Sequence, residues 1–215
     1  MKRISRPLLL CLILKIVSFP VLSQRKSDFS GWLTSDIVYS PKKWDFTGSL
    51  ELRTKGRMKE IDLLSAAVYG RYRFFPLLKP SVGYELFECN TETGYSLEHR
   101  LLIQNESTIK TSFFQIDNRL SLLNDFKTID NPYWGLRDRI RIKRRIKKFE
   151  PHISVELYYT LKNKSIRSYK NRYTAGIIYY FNDQNSVNLY YMNEYYLQKP
   201  FANNILGLYY CFYMK

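Results

Sequence analysis

Residues Asp45-Phe-Thr-Gly-Ser-Leu-Glu-Leu-Arg-Thr54 decide the fold. Phe46, Gly48, Leu50 and Leu52 fall at one parity, and Asp45, Thr47, Ser49, Glu51 and Arg53 fall at the other. Successive side chains of a strand point to opposite faces, so this stretch reads as a β-strand with one apolar and one charged face.

The same period of two recurs along the chain, near 62–74, 80–88, 94–104, 109–120, 136–146, 150–161, 171–181, 186–195 and 203–214. Each run is bounded by polar or turn-forming residues. No stretch carries a helical period, and no linker, domain boundary or strict repeat interrupts the rhythm. The polar parity collects Arg71, Arg73, Glu85, Glu98, Arg100, Gln104, Gln115, Asp117, Arg119, Arg137, Arg139, Arg141, Ser154, Glu156 and Arg172. The apolar parity collects Leu64, Val68 and Tyr72, then Val82, Tyr84 and Leu86, then Ile140, Ile142, Ile153, Val155 and Leu157, and finally Leu206, Leu208, Tyr210 and Phe212.

Composition narrows the class. The 215 residues carry a formal net charge of +15, are 45% hydrophobic and include 19 Tyr and 13 Phe against 9 Gly and 8 Pro. That excludes collagen-like, low-complexity and disordered chains, and the length fits one domain. After the first two dozen residues no apolar run is long enough for a membrane helix. A membrane barrel needs none, because its strands alternate.

A soluble β-sandwich or lipocalin would alternate as well, with its apolar side inward. Three features favour the inverted arrangement. Aromatics stand near strand ends, at Tyr72, Phe74, Trp134, Tyr179, Phe181, Tyr195 and Tyr209, as interfacial girdles require. Longer, more charged connections near 54–62, 88–94, 123–134, 162–170 and 198–203 alternate with compact ones near 75–79, 104–108, 147–150 and 182–185. The chain stops on an aromatic strand, Gly207-Leu-Tyr-Tyr-Cys-Phe-Tyr-Met-Lys215, similar to the insertion signal read by barrel-insertion machinery, with Lys215 in place of the usual aromatic.

Ten strands follow Asp45. Gly31 to Tyr39, with Trp32 and Val38, looks like an eleventh, joined through Ser40-Pro41-Lys42-Lys43. Bacterial barrels normally hold even numbers. The expectation is therefore a single antiparallel up-and-down transmembrane β-barrel of 10 to 12 strands, best described as ten wall strands plus an extended amino-terminal segment.

Residues 1–23 read as a secretory signal peptide, with Lys2, Arg3 and Arg6 before the apolar Leu8–Leu14 stretch and Val21 and Ser23 flanking the cut. Residues 24–215 would then form the barrel domain. The remainder stays basic, with 30 Lys and Arg against 19 Asp and Glu, and keeps only Cys89 and Cys211. An exported protein does not ordinarily meet nucleic acid, so anionic lipid and lipopolysaccharide are the expected partners. Basic clusters at Lys55, Arg57 and Lys59, and at Lys162, Lys164, Arg167, Lys170 and Arg172, would face lipopolysaccharide phosphates from the loops. The expected location is the bacterial outer membrane, and the sequence specifies no oligomeric state.

The chain resembles the domain of unknown function 2490 family, which is regarded as secreted, uncharacterised and outer-membrane β-barrel-like. The resemblance rests on Trp32, Lys43-Trp44, Glu51-Leu52-Arg53, Tyr72-Arg73, Gly83-Tyr84 and Glu98-His99-Arg100-Leu101. It continues through Arg119, the Arg137 to Arg141 ladder, Pro151 to Tyr158, Tyr173 to Gly176 and Ile205 to Tyr209. It implies location and fold, and the family has no activity to transfer.

With the charged face inward, the lumen holds Arg53, Arg71, Arg73, Arg100, Arg119, Arg137, Arg139, Arg141, Lys143 and Arg172, opposed by Asp45, Glu51, Glu85, Glu98, Asp117, Glu156 and Glu194. Guanidinium forks suit carboxylates on neighbouring strands, so a filled plug of ion pairs is one expectation. An anion-binding or anion-conducting lumen built on Arg137, Arg139 and Arg141 is the other.

His152-Ile-Ser154 has the His-x-Ser spacing of outer-membrane lipid hydrolases but lacks the accompanying Asn and Gly. It reads as a chance pair. His99 falls on the apolar face, where an imidazole needs a register slip or shielding. Neither metal-ligand spacing nor a glycine-rich phosphate loop occurs. The expected function is a structural or small pore-like barrel without catalytic residues, cofactor or metal. The alternatives are a soluble lipocalin-like binding barrel and a lipid hydrolase.

Overall fold

A run of alternating strands leaves an unpaired edge at each side of its sheet unless the first and last strands meet. They meet here. The computed structural model describes residues 26–91, 93–127, 133–162, 165–199 and 201–214. Eleven strands form a closed barrel: β1 (Lys26–Tyr39), β2 (Trp44–Lys55), β3 (Glu60–Tyr72), β4 (Lys79–Thr91), β5 (Gly94–Lys110), β6 (Gln115–Lys127), β7 (Tyr133–Lys143), β8 (Phe149–Lys162), β9 (Ser165–Tyr180), β10 (Asn185–Tyr196) and β11 (Phe201–Met214). Consecutive strands pair antiparallel, and β1 closes on β11 in parallel, from Lys26 opposite Phe201 to Tyr39 opposite Met214.

The extended amino-terminal segment is thus a wall strand, and the count is odd. An odd number makes the first and last strands run in the same direction, so a parallel seam is the geometric consequence. Ser30 Oγ donates to Asn203 Oδ1 (3.0 Å) and Tyr209 OH to Asp36 Oδ2 (2.8 Å) across it. At the rim where β1 begins, here called the amino rim, the Asp28 carboxylate accepts from the Gly56 and Arg57 amides at 2.8 and 2.9 Å. Those amides are presented by three consecutive left-handed residues, Gly56, Arg57 and Met58, with φ of 60°, 60° and 64°. The first strand is thereby fastened to the β2–β3 turn.

Parity assigns the faces as the sequence pattern predicts. Leu50 and Val68 are 62% and 61% exposed on the outside, whereas the Glu51 side chain is 17% exposed within the lumen. Aromatic contacts gather at the opposite, carboxy rim, where Trp44 stacks on Phe46 (5.8 Å) and meets Tyr72 (4.9 Å), which meets Phe74 (4.5 Å). Tyr179 joins Phe149 (5.0 Å) to Phe181 (4.9 Å) farther round. Phe29, Tyr95 and Trp134 stand exposed toward the amino rim. Tyr209 departs from the expected girdle, because its parity turns it inward onto Asp36.

The expected alternation of long and short connections is not observed. Strands continue through most of the charged stretches, leaving 56–59 between β2 and β3, while the carboxy rim carries 40–43, 73–78, 111–114, 144–148 and 181–184. The expected turn at 104–108 lies inside β5. Its alternate residues Gln104, Glu106 and Thr108 line the lumen, while Ser107 Oγ (2.7 Å) and Asn105 Nδ2 (3.5 Å) bond to the Leu77 carbonyl of the adjoining turn. A polar run could therefore remain extended with its groups satisfied. The connections at 128–132 and 163–164, and residues 1–25 with the expected signal peptide, lie outside the described residues.

Inside, two glycines make room for large rings. A Cβ at Gly83 would overlap the Tyr69 ring, and one at Gly207 would overlap the ring of Tyr190. Tyr190 packs against a small apolar cluster of Trp32, Met192 and Ile205 within the barrel. Cys89 and Cys211 are both free and lie toward opposite rims, near the ends of β4 and β11.

Candidate functional site in the charged lumen

Every strand contributes alternate side chains to one interior, and the charged ones meet in groups. The cavity they line has a volume of about 650 Å³. Among the residues expected in the lumen, Glu51, Arg53, Arg71, Glu85, Arg100, Asp117, Arg119, Arg137, Arg139, Arg141, Glu156 and Arg172 line it. Lys143 lines it too, whereas Asp45, Arg73, Glu98 and Glu194 do not: they lie nearer the two rims, at the start of β2, past the end of β3, near the start of β5 and near the end of β10.

Glu156 on β8 is the centre of the largest group. Its carboxylate faces Arg119 Nη2 at 3.1 Å, Arg137 Nε at 3.4 Å and Arg172 Nη1 at 3.5 Å, and accepts from Tyr158 OH at 2.8 Å. Arg172 continues the network through Nε to Glu194 (2.5 Å), which also meets Lys170 Nζ at 3.2 Å. The guanidiniums of Arg53 and Arg172 lie 4.0 and 4.8 Å from the centre of the Trp32 ring, a cation–π arrangement.

Three further groups line the wall. Arg100 lies between Glu85 (3.0 Å) and Asp125, which it grips through Nε at 2.5 Å and Nη2 at 2.9 Å. Arg71 pairs with Asp45 (2.9 Å) and Glu106, and Arg73 reaches Asp45 at 3.6 Å. Lys143 is held by Asp117 (3.2 Å) and Glu150 (3.3 Å). Two-oxygen contacts of the Arg100 kind are the stronger charge-assisted class. Most of the interior charges thus have an opposite charge within reach on the same or a nearby strand.

Arg139 and Arg141 differ. Among the described residues neither has an ion-pair partner; the Nε atom of each is shut off from solvent without a hydrogen-bond acceptor, a feature they share with Arg53, Arg73, Arg119 and Arg137. Arg139 lies between Arg119 and Glu156, whose carboxylate is taken by other arginines; Arg141 lies between Asp117, held by Lys143, and Ser154. Arg137, grouped with these two by the sequence pattern, is instead paired to Glu156.

Glu106, Asp125 and Glu150 complete these networks, and Asp36 accepts from Ser49 Oγ and Tyr209 OH inside the barrel; none of the four is among the expected lumen acids. The first three fall in stretches that read as turns or turn edges. Extending the parity of β5, β6 and β8 by a few residues recovers them. Lys170, expected in a basic loop, points into the lumen because β9 begins at Ser165, and Arg172, expected both in that loop cluster and in the lumen, lies in the lumen. Lys55 is held by Asp62 (3.6 Å) and by the Asn90 carbonyl (2.6 Å), and Arg167 stays exposed.

His152 and Ser154 share the inward face of β8, but no hydrogen bond joins them among the described residues, and His152 Nδ1 is buried without a partner. That is not the geometry of an activated nucleophile. His99 is accommodated without slip or shielding: its Nδ1 meets the Tyr84 hydroxyl, and its ring stacks on Phe126 at 5.6 Å. No group of three or more His, Cys, Asp or Glu is placed to hold a metal among the described residues.

No curated protein matches the chain. A family model for proteins of unknown function (DUF2490) matches residues 29–204. That span runs from within β1 into β11 and takes in all four charge groups, and the chain belongs to the DUF2490 family.

Proposed function

We propose that the chain is a small outer-membrane β-barrel, exported through its amino-terminal leader, whose charged lumen serves a structural or pore-like role rather than catalysis. The observation that carries this reading is the outward apolar face: Leu50, Val68 and Val155 are exposed while the charged parity converges inside. Exposing so many large apolar side chains to water would be costly, and a bilayer removes that cost. Strand length supports it as well. About 9 to 11 tilted residues cross a bilayer, and the shortest strand, β7, has 11. A soluble lipocalin-like barrel needs the faces the other way round. Lipid surrounds the wall in this reading, and lipopolysaccharide phosphates meet basic rim residues such as Arg57 and Lys59.

Fractionation tests it. The barrel should leave the membrane fraction only with detergent and should migrate faster unboiled than boiled on a denaturing gel. Recovery in the soluble periplasmic fraction would overturn the reading.

A further inference from the structure

We infer that Arg139 and Arg141 form a binding site inside the barrel for a small divalent oxyanion of the phosphate type. The inference shares with the proposed function the view of the lumen as an accessible interior, and it does not depend on where the barrel resides.

Each of the other arginines lining the lumen has a carboxylate within ion-pair distance, Arg53 from Glu51, Arg71 from Asp45 and Glu106, Arg100 from Glu85 and Asp125, and Arg119, Arg137 and Arg172 from Glu156, whereas among the described residues Arg139 and Arg141 have none. Removing two adjacent positive charges from bulk water without counter-charge is expensive, so the fold is completed by an anion that supplies it. Two uncompensated charges call for a dianion. Guanidinium forks match the oxygens of phosphate in pairs, which a halide cannot exploit.

The surroundings are those of a built site. Ser154 is the cross-strand neighbour of Arg141, and Thr174 is the neighbour of Ser154, so hydroxyls adjoin the guanidiniums along one row. His152 lines the same cavity, is only 6% exposed and has an unpartnered ring nitrogen. The acids nearest the pair already hold other cations: Glu156 serves Arg119, Arg137 and Arg172, Asp117 serves Lys143, and Glu106 of β5, whose charge is also felt by both arginines, is paired with Arg71. A free anion is favoured over a lipid headgroup, because these side chains point into the lumen and the barrel wall separates them from the outer apolar face.

The test is calorimetric titration of the purified, folded full-length barrel with inorganic phosphate, using chloride as the control. Wild type should bind one phosphate per barrel and show no saturable binding of chloride. Arg139→Gln with Arg141→Gln should weaken binding at least about 10-fold, while Arg144→Gln, which removes the same kind of charge from the exposed 144–148 turn, should not. The double variant should also unfold at a higher temperature than wild type in phosphate-free buffer, because it removes uncompensated charge. A merely structural pair of arginines would give the opposite shift.

If the double Gln variant does not fold, Arg139→Lys with Arg141→Lys keeps both charges and loses the forks, and it too should bind less tightly. Short-chain phosphatidic acid should not compete, and competition would overturn the free-anion assignment. Absence of phosphate binding by folded wild type, or equal binding by the variants, would overturn the site. Neither result bears on the membrane reading, which fractionation decides separately.

Discussion

Asn118 Nδ2 donates a 2.6 Å hydrogen bond to Asp138 Oδ1 on the outer face of the barrel. Asp138 is the middle residue of β7, with Leu120 and Leu157 as its cross-strand neighbours. With Asn118 it interrupts a mainly apolar band. With lipid against that band, a carboxyl group at mid-height opposes insertion, and the Asn118 amide offsets only part of the cost. Asp138→Leu should therefore raise the unfolding free energy in lipid vesicles by about 1–2 kcal/mol, read from urea titration of tryptophan fluorescence. A loss of stability would indicate a role for Asp138 beyond tolerated polarity.

Glu156 is the common acceptor for Arg119, Arg137 and Arg172. Removing its charge leaves three guanidiniums facing one another. Glu156→Gln should lower stability by about 3–5 kcal/mol, the usual penalty for breaking a buried pair from one side. Glu51→Gln, which removes a single contact to Arg53, should cost much less; equal losses would contradict the hub assignment.

The parallel seam makes a geometric prediction. Leu33 is opposite Leu208, and both project outward. In a background with Cys89 and Cys211 replaced by Ser, Leu33→Cys with Leu208→Cys should form a cross-link under mild oxidation, within disulfide reach. Leu33→Cys with Val155→Cys, across the barrel, should not. Cross-linking in the second pair alone would contradict the closure.

Gly207 has the Tyr190 ring where a Cβ would stand. Gly207→Ala should force the ring away and destabilise the barrel by about 1–3 kcal/mol, as overpacking does. Combining it with Tyr190→Leu should recover part of the loss, measured by the same urea titration. Additive losses would show that the ring is not the obstacle.

The faces were legible in the sequence because period two in a strand depends only on alternating side-chain direction; Leu50 and Glu51 sort themselves without knowledge of any partner. The odd strand number was not, since whether Gly31 to Tyr39 joins the wall depends on pairing with residues some 170 positions away, and local pattern carries no such information. Strand ends were misjudged for a related reason. The polar run from Gln104 to Thr108 resembles a turn, and only the lumen and the Leu77 carbonyl keep it extended. The Arg137 to Arg141 ladder was visible as a basic stripe. Which of its members is neutralised follows from the register of β7 against β8, which brings Glu156 opposite Arg139 yet leaves its oxygens with Arg137 and Arg119.

The assignment of the outer face is tested most directly by nitroxide labels placed singly at Leu50 and Glu51 in barrels reconstituted into lipid vesicles. The label at Leu50 should be relaxed mainly by lipid-dissolved oxygen, and the label at Glu51 mainly by a water-soluble nickel complex or, in a packed lumen, by neither. A label at Glu51 in contact with lipid-dissolved oxygen while the label at Leu50 is shielded from it would contradict the lipid-facing apolar wall.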